Sequence, residues 1–376
     1  MKNLKQIALL LTVTVSLFLL GCNQASKNST NELLVACNLP LTGDLAVYGV
    51  SVRDGVNFAL SDLKEKNQLD SIQLKFDFQD NQGTAKSAVS IYQSQQLKNP
   101  NIYLSGVSPQ TMAIIDQVSS QGMPHFAWVY AANICSNYDN TFRTWLNFNS
   151  EAEHYIEYAK KVKPTRVAIF YVNIEVCQYE FDSLVAPALR SMGINDILIE
   201  AYDIQNSDFK NLAAKTKNFK PDMILLNGFK GHMIQLVKDF RSYNLISNGN
   251  TMCSYDLLDA ASELSNEQLE GLRYTVPYFV MYQDAPKVKE WREKFKQKFN
   301  REALYTDAYA YDMTFAIYYA GKKLTSPYTK DAITKELLSV EFDGITGRFK
   351  FTDKGDLILS LTTAYYKDGK LIPETF

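Results

Sequence analysis

The residues able to do chemistry in this chain are a handful of polar and aromatic side chains that fall just after predicted strands. Ser108, Gln110 and Thr111 stand between a strand-like run ending in Tyr103-Leu104-Ser105-Gly106 and the start of a predicted helix. Hydroxyls and open backbone N–H groups at such a junction suit a carboxylate, with the helix dipole adding to the attraction. The plainer alternative is that Ser108 only caps its helix. Asp256, closing the run Met252-Cys253-Ser254-Tyr255-Asp256, holds the corresponding place further along the chain. A carboxylate there can pair with a ligand ammonium group or simply serve a turn. Tyr48, Trp128, Tyr130, Tyr179, Phe229 and Tyr305 recur at the same level. Any one of them would fit a core; their recurrence after strand ends points to a pocket.

Patterns for catalysis do not assemble. No GxSxG elbow, HExxH pair or glycine-rich phosphate loop occurs. Ser61-Asp62-Leu63-Lys64 matches SxxK, but it falls on a predicted surface helix and lacks the accompanying SDN and KTG elements. His154 with Glu151, Glu153 and Glu157 is the one local group of metal-ligand types, and its place on a polar helix face reads as solvated charge. The expectation is a binding protein, not an enzyme, with no cofactor and no metal.

The elements that must position these residues alternate strand and helix. Leu33 to Leu63 reads as a buried strand, a loop with Pro40-Leu41-Thr42-Gly43, and a helix carrying Val52, Val56, Ala59, Leu60 and Leu63 on one face. Strand Ile72 to Phe78, helix Thr84 to Leu97, strand Ile102 to Ser105, helix Gln110 to Gln121 and strand Pro124 to Val129 follow. The pattern restarts near Asn147. Helix Glu151 to Lys161, strand Arg166 to Tyr171, helix Tyr179 to Met192, strand Asp196 to Ala201, helix Ser207 to Phe219 and strand Met223 to Leu226 come first; helix Gly231 to Tyr243 and strands Asn250 to Cys253 and Leu272 to Pro277 complete the set. This order demands right-handed crossovers and parallel sheets, whose carboxyl edges bind small ligands. Lys287 to Phe299 is an amphipathic helix with Trp291, Phe295 and Phe299 spaced by four, which reads as docked on the protein more readily than on lipid. A buried helix over Tyr305 to Leu324, a shorter one over Ala332 to Leu338 and a strand-like end from Gly344 close the chain.

With 376 residues the chain exceeds one ordinary core, so two domains are expected. A formal charge of -2 with interspersed signs excludes nucleic acid as a main partner. Lys2 and Lys5 precede an apolar run from Ile7 to Leu20, which ends in Leu19-Leu20-Gly21-Cys22. That build is a signal peptide whose ending resembles the bacterial lipoprotein signal, in which the cysteine is lipidated and becomes the mature N-terminus. Two or three acyl chains would hold the protein firmly at a membrane, with the polar residues Asn23 to Glu32 as a tether. The four remaining cysteines admit three connectivities that their spacing does not choose between. Buried thiols are expected for Cys37 and Cys253, with Cys135 and Cys177 open.

Several stretches together resemble the branched-chain amino-acid type of periplasmic substrate-binding protein serving ABC importers. They are Leu41 to Gly49 with the helix after it, Phe78-Gln79-Asp80-Asn81, Lys163 to Ile169, Gln178-Tyr179, Leu269 to Leu272 and Gly347 to Leu357. The resemblance implies an α/β type I periplasmic binding protein fold: two doubly wound parallel-sheet lobes joined by three crossover hinge segments, with the ligand trapped between them. Ser108 and Thr111, with backbone groups near Ala131 to Asn133, would then hold a ligand carboxylate. Tyr179 would cover the ligand, Phe229 would line it, and Asp256 would bind its ammonium. The chain departs from the family pattern in Pro109 and Gln110 where small hydroxyl residues are usual, in Glu180 for a glycine, in Phe229 for a tyrosine, and in Asp256 for a longer glutamate.

The expected layout is a signal peptide over 1–22 ending at lipidated Cys22, a tether over 23–32, a first lobe from 33–148 and 278–344, and a second from 149–277 and 345–376. Hinges are expected near Asn147 to Ser150, Val276 to Tyr278 and Asp343 to Thr346. Candidate ligand contacts are Tyr48, Ser108, Gln110, Thr111, Tyr130, Ala131, Asn133, Tyr179, Phe229, Asp256 and Tyr305. The implied protein is a monomeric, lipid-anchored extracytoplasmic carrier of a small zwitterion, with ABC permease subunits as partners. A sensing or protein-interaction lipoprotein of the same fold is the alternative.

Overall fold

The computed structural model describes residues 31–374 apart from 44, 67, 70, 71, 132 and 248. The expected signal peptide, the lipidation site Cys22 and nearly all of the tether lie outside the described residues. Glu32, placed in the tether by its polarity, already belongs to the first strand, opposite Gln73.

The first sheet holds β1 (Glu32–Leu39), β2 (Gln73–Asp80), β3 (Ile102–Gly106), β4 (His125–Trp128) and β5 (Thr141–Arg143), all parallel in the order β2-β1-β3-β4-β5. The second joins β6 (Arg166–Val172), β7 (Asp196–Tyr202), β8 (Met223–Leu226), β9 (Thr251–Cys253) and β10 (Arg273–Pro277). A short pair, β11 (Glu341–Gly344) and β12 (Gly347–Lys350), stands apart, and β13 (Leu361–Lys367) and β14 (Lys370–Pro373) return to the second sheet. Its order is β14-β13-β10-β9-β8-β6-β7, with only the last two strands of the chain antiparallel. Unbroken apolar runs such as Val167 to Val172 are what a strand covered on both faces requires. The parallel pairing forces helical crossovers, which explains the alternation seen in the sequence.

Two large cores form, one per sheet. The chain leaves the first core after Leu146 and enters the second at Phe148, with Asn147 capping the new helix by accepting from the Ser150 N–H at 2.9 Å. It returns between Val276 and Phe279. The third passage differs from the expected 344/345 boundary. Ile345, Phe349, Phe351 and Leu357 all sit in the first core, and the second is rejoined only at Ala364. Asp312, buried in the helix Tyr305–Lys322, causes this. It accepts from the N–H groups of Ile345 and Thr346 at 3.0 and 2.8 Å and from the Thr346 hydroxyl at 2.6 Å, pinning the β11–β12 turn to the first lobe.

Two further expectations shift. The helix over Gln110 to Gln121 is two short ones, Ser108–Met112 and Ile115–Ser120. The helix over Tyr179 to Met192 opens with a π-helical stretch, Tyr179–Val185. The amphipathic helix Pro286–Phe299 docks as expected, its Trp291 and Phe295 rings 5.3 and 5.5 Å from Phe58. All four described cysteines are buried free thiols, including the two whose state was open.

The helices Ala46–Glu65 and Tyr305–Lys322 cross closely at Gly55, where a Cβ would stand 2.2 Å from the Asp307 carbonyl oxygen. Gly55→Ala is therefore expected to push this pair apart and lower stability by about 1–3 kcal/mol. Urea denaturation measures it as a lower midpoint at unchanged slope; an unshifted midpoint would show that the crossing yields freely.

Candidate functional site

Residues after β1, β3 and β4 face residues after β6, β8 and β9 across a cleft between the lobes. Three adjoining cavities occupy it. A cavity of about 150 Å3 belongs to the first lobe and is walled by Leu39, Pro40, Tyr48, Val52, Trp128, Tyr130 and Trp145. A wide mouth of about 650 Å3 lies between Ser108, Ala131 and Asn133 of the first lobe and Glu175, Gln178 and Tyr179 of the second. A small recess of about 40 Å3 enters the second lobe among Val176, Cys177, Asn227, Phe229, Tyr255 and Asp256. Ser108 is common to the first two, Tyr130 to the first and third, and Val176 to the last two, which makes the cleft continuous.

The first-lobe wall is aromatic because three rings converge on Trp145. Tyr48, Trp128 and Tyr130 meet it edge-on with centroids 6.0, 5.3 and 5.7 Å away. Val107 aims the neighbouring loop: its φ of 69° is unusual for a β-branched residue and marks local strain at the cleft. The Val107 N–H donates to the Trp128 carbonyl and its own carbonyl accepts from the Thr111 N–H, both at 3.0 Å, so the strained turn is held between β4 and the short helix.

The second-lobe wall is acidic. Glu151, on the first turn of the helix Phe148–Val162, is buried and accepts from the Tyr255 N–H at 2.7 Å and the Thr275 hydroxyl at 3.0 Å. Glu180 is wholly buried in the π-helical stretch, and the Asn227 amide nitrogen stands 3.5 Å from its carboxylate. Burial pushes both carboxyls up, Glu151 to about 7, and the nearby charges of Glu151 and Asp256 add to the rise at Glu180. Asp256 is likewise pushed well above the usual carboxylate range, by burial first and then by Glu151 and Asp259. Among the described residues no cation offsets the rise at any of the three.

Most expected site residues reach the cleft. Tyr48, Ser108, Tyr130, Ala131, Asn133, Tyr179, Phe229 and Asp256 line its cavities. The Tyr179 hydroxyl comes within 3.5 Å of the Asn133 side-chain oxygen, spanning the mouth, and the Tyr130 and Tyr255 hydroxyls are hydrogen-bonded between lobes. Tyr305 packs behind this wall, 5.9 Å from Trp145. Two expectations are corrected. Thr111 is fully buried with its hydroxyl 2.8 Å from Ser105 Oγ, and Gln110 is buried with its amide donating to the Gly83 carbonyl. A one-turn helix directs both side chains back into the lobe, where they tie neighbouring segments together. The Glu151 group is corrected as well: that carboxylate is buried, not solvated.

Trp145, Tyr255, Asn227 and Glu180 were not among the expected contacts. Trp145 follows β5, a three-residue strand too short for a periodic signal. Tyr255 and Asn227 do sit directly at strand ends, and that position was the available clue.

The sequence profile described as periplasmic binding protein matches residues 33–370. No curated protein matches. Among solved structures, an ABC transporter substrate-binding protein from Sphaerobacter thermophilus superposes with TM-score 0.77 at 17% identity, covering 92% of this chain and 97% of its own. The branched-chain amino acid transporter substrate-binding protein LivJ from Streptococcus pneumoniae, in complex with isoleucine, does so with TM-score 0.71 at 17% identity, covering 90% and 97%. A solute-binding protein of an ABC transporter from Rhodopseudomonas palustris, in complex with 3,4-dihydroxy benzoic acid, gives 0.73 at 15% identity, covering 92% and 96%. At these identities the likeness carries the fold, a type I periplasmic binding fold with two parallel-sheet lobes.

Because the folded state holds the Glu151 proton more tightly than the unfolded chain, this group adds stability as pH falls from about 7 toward about 4.5, and that increment is lost again on raising the pH. Glu151→Gln keeps the acceptor for Tyr255 and Thr275 while removing the titration. The unfolding temperature of the variant should therefore change less between about pH 8 and 5 than that of the parent, by at least ~3 °C. Parallel curves in a thermal unfolding series would place the titration elsewhere.

Proposed function

The chain belongs to the periplasmic binding protein family, and from that membership we propose that it is an extracytoplasmic carrier for an ABC importer. It traps a small organic molecule bearing an ammonium group, an amino acid or amino-acid-like compound, between its lobes. The observation that carries this reading is the continuous cleft in which an aromatic cavity of one lobe faces an uncompensated carboxylate, Asp256, on the other. A ligand that touches both walls binds the closed arrangement better than the open one, so capture shifts the population toward closure. The three passages between the cores are where such a motion would bend.

Anchoring completes the reading. Lipidation at Cys22 would hold the domain to the membrane through the polar segment before β1, close to permease subunits, and among the described residues no helix is long and apolar enough to span a bilayer. A monomer suffices for this role.

Two outcomes test the proposal. In a thermal-shift screen of amino acids and small amines, the compound that stabilises the protein should bind Asp256→Ala more weakly by roughly tenfold or more. Indifference of the variant would remove the ammonium contact from the reading. Cys22→Ser should move the protein expressed in a bacterium from the detergent phase to the aqueous phase on detergent partitioning; an unchanged partition would sink the lipid anchor.

A further inference from the structure

The charge inventory of the cleft is one-sided. Among the described residues no lysine, arginine or histidine lines any of its three cavities. Arg143, which reaches the mouth residue Ala131, is buried and committed, with Nε on Asp356 at 2.7 Å and Nη1 on the Ala131 carbonyl at 2.8 Å. The hydroxyl of Thr111 and the amide of Gln110 are engaged inside the lobe. Pro109 has no N–H to offer, and a helix of five residues has little dipole. Of the three side chains expected to meet a ligand carboxylate, only Ser108 faces the cleft, and no cation stands beside it among the lining residues.

The opposite wall has acceptors to spare. Asn227 is 2% exposed, lines the recess, and turns its Nδ2 toward Glu180, leaving Oδ1 without a partner. Glu180, directly behind it, is fully buried with Oε1 unpartnered. Asp256 lines the same recess. Buried acceptors of this kind favour an arriving cationic donor, beyond the Ser254 hydroxyl that already donates to Asp256. No group of three or more His, Cys, Asp or Glu among the described residues is placed to hold a metal ion. An organic ammonium group fits these acceptors.

On the reading that the cleft captures a small ligand, we propose that this ligand is an amine of net positive charge on an apolar body, with no carboxylate of its own. The ammonium docks in the recess on Asp256 and Asn227 Oδ1, with the Glu180 carboxylate beneath them. The body fills the aromatic cavity beside Tyr130, whose volume of about 150 Å3 is that of a cavity able to take benzene. The rings of Tyr48, Trp128 and Trp145 offer that body edges and faces, and Tyr130 adds a face beside the cation.

Calorimetry on the purified protein with two matched series tests this. The first is phenethylamine, phenylalanine and 3-phenylpropanoate; the second is isopentylamine, leucine and 4-methylpentanoate. In at least one series the amine is expected to bind more tightly than its amino acid by roughly tenfold or more, with the carboxylate weakest. An amino acid that equals or exceeds its amine in both series overturns this inference and leaves the small-ligand reading standing. No saturable heat and no thermal shift from any of the six compounds overturns both. Glu180→Gln preserves the shape of the floor and should reduce the preference for amine over amino acid by roughly threefold to tenfold, and Asp256→Asn should do the same from the wall. If both variants keep the parental preference with the parental unfolding midpoint, the cation does not lie here.

Discussion

The structure turns on three carboxyl groups buried beneath one wall of the cleft with no cation among the described residues to offset them. Moving an ionised carboxylate out of water costs several kcal/mol even after relaxation, and the second lobe gathers Glu151, Glu180 and Asp256 in one region, where burial raises all three. Glu151 is the keystone of that group. It sits on the first turn after the chain crosses between lobes and ties that turn to β10 through Thr275 and to the loop after β9 through the Tyr255 N–H. The same loop carries Asp256 on its wall and the Tyr255 ring, whose hydroxyl meets Tyr130 of the other lobe. A single buried acceptor thereby fixes the crossing helix, the acidic wall and the residue that touches the opposite side.

Such an arrangement has two ways to be comfortable: hold protons or receive a cation. In the empty protein burial favours the protonated forms, as the raised Glu151 shows. When a cation arrives, the same low-polarity surroundings that penalised isolated charge strengthen its attraction. The first lobe contributes differently. An apolar group removing on the order of 100 Å2 from water among its rings gains about 2.5 kcal/mol, but without direction. On the proposed reading, affinity for a body and discrimination for charge would be carried by different lobes, and only a ligand offering both would gain the full stabilisation of closure.

Much of this was legible from residue order. Alternating strand and helix runs located both sheets, and strand ends located Tyr48, Tyr130, Phe229 and Asp256, because a parallel sheet brings its carboxyl edges to one side. Direction of side chains was not legible. Ser108, Gln110 and Thr111 share one turn, yet only Ser108 faces the cleft; a strained Val107 and a helix of one turn decide this, and neither leaves a periodic trace. Glu151 reads as part of a polar face with Glu153, His154 and Glu157, since its burial depends on Thr275 and Tyr255, more than a hundred residues away. The third passage was placed early for a related reason: Asp312 looks like one polar residue in an apolar helix until its three donors at 345–346 are seen.

The π-helical stretch over Tyr179–Val185 brings these threads together. Successive helical residues advance by about 100°, so Tyr179 can face the mouth while the next two residues, Glu180 and Phe181, both turn into the core. The segment does so in the wider turn of a π-helix, a form frequent at functional sites. Here Tyr179 lines the mouth, Glu180 lies under Asn227, and Phe181 stacks on Tyr171 at 5.2 Å. Glu180, at a position where the family resemblance implies a glycine, sets a carboxyl group behind the recess wall beneath Asn227.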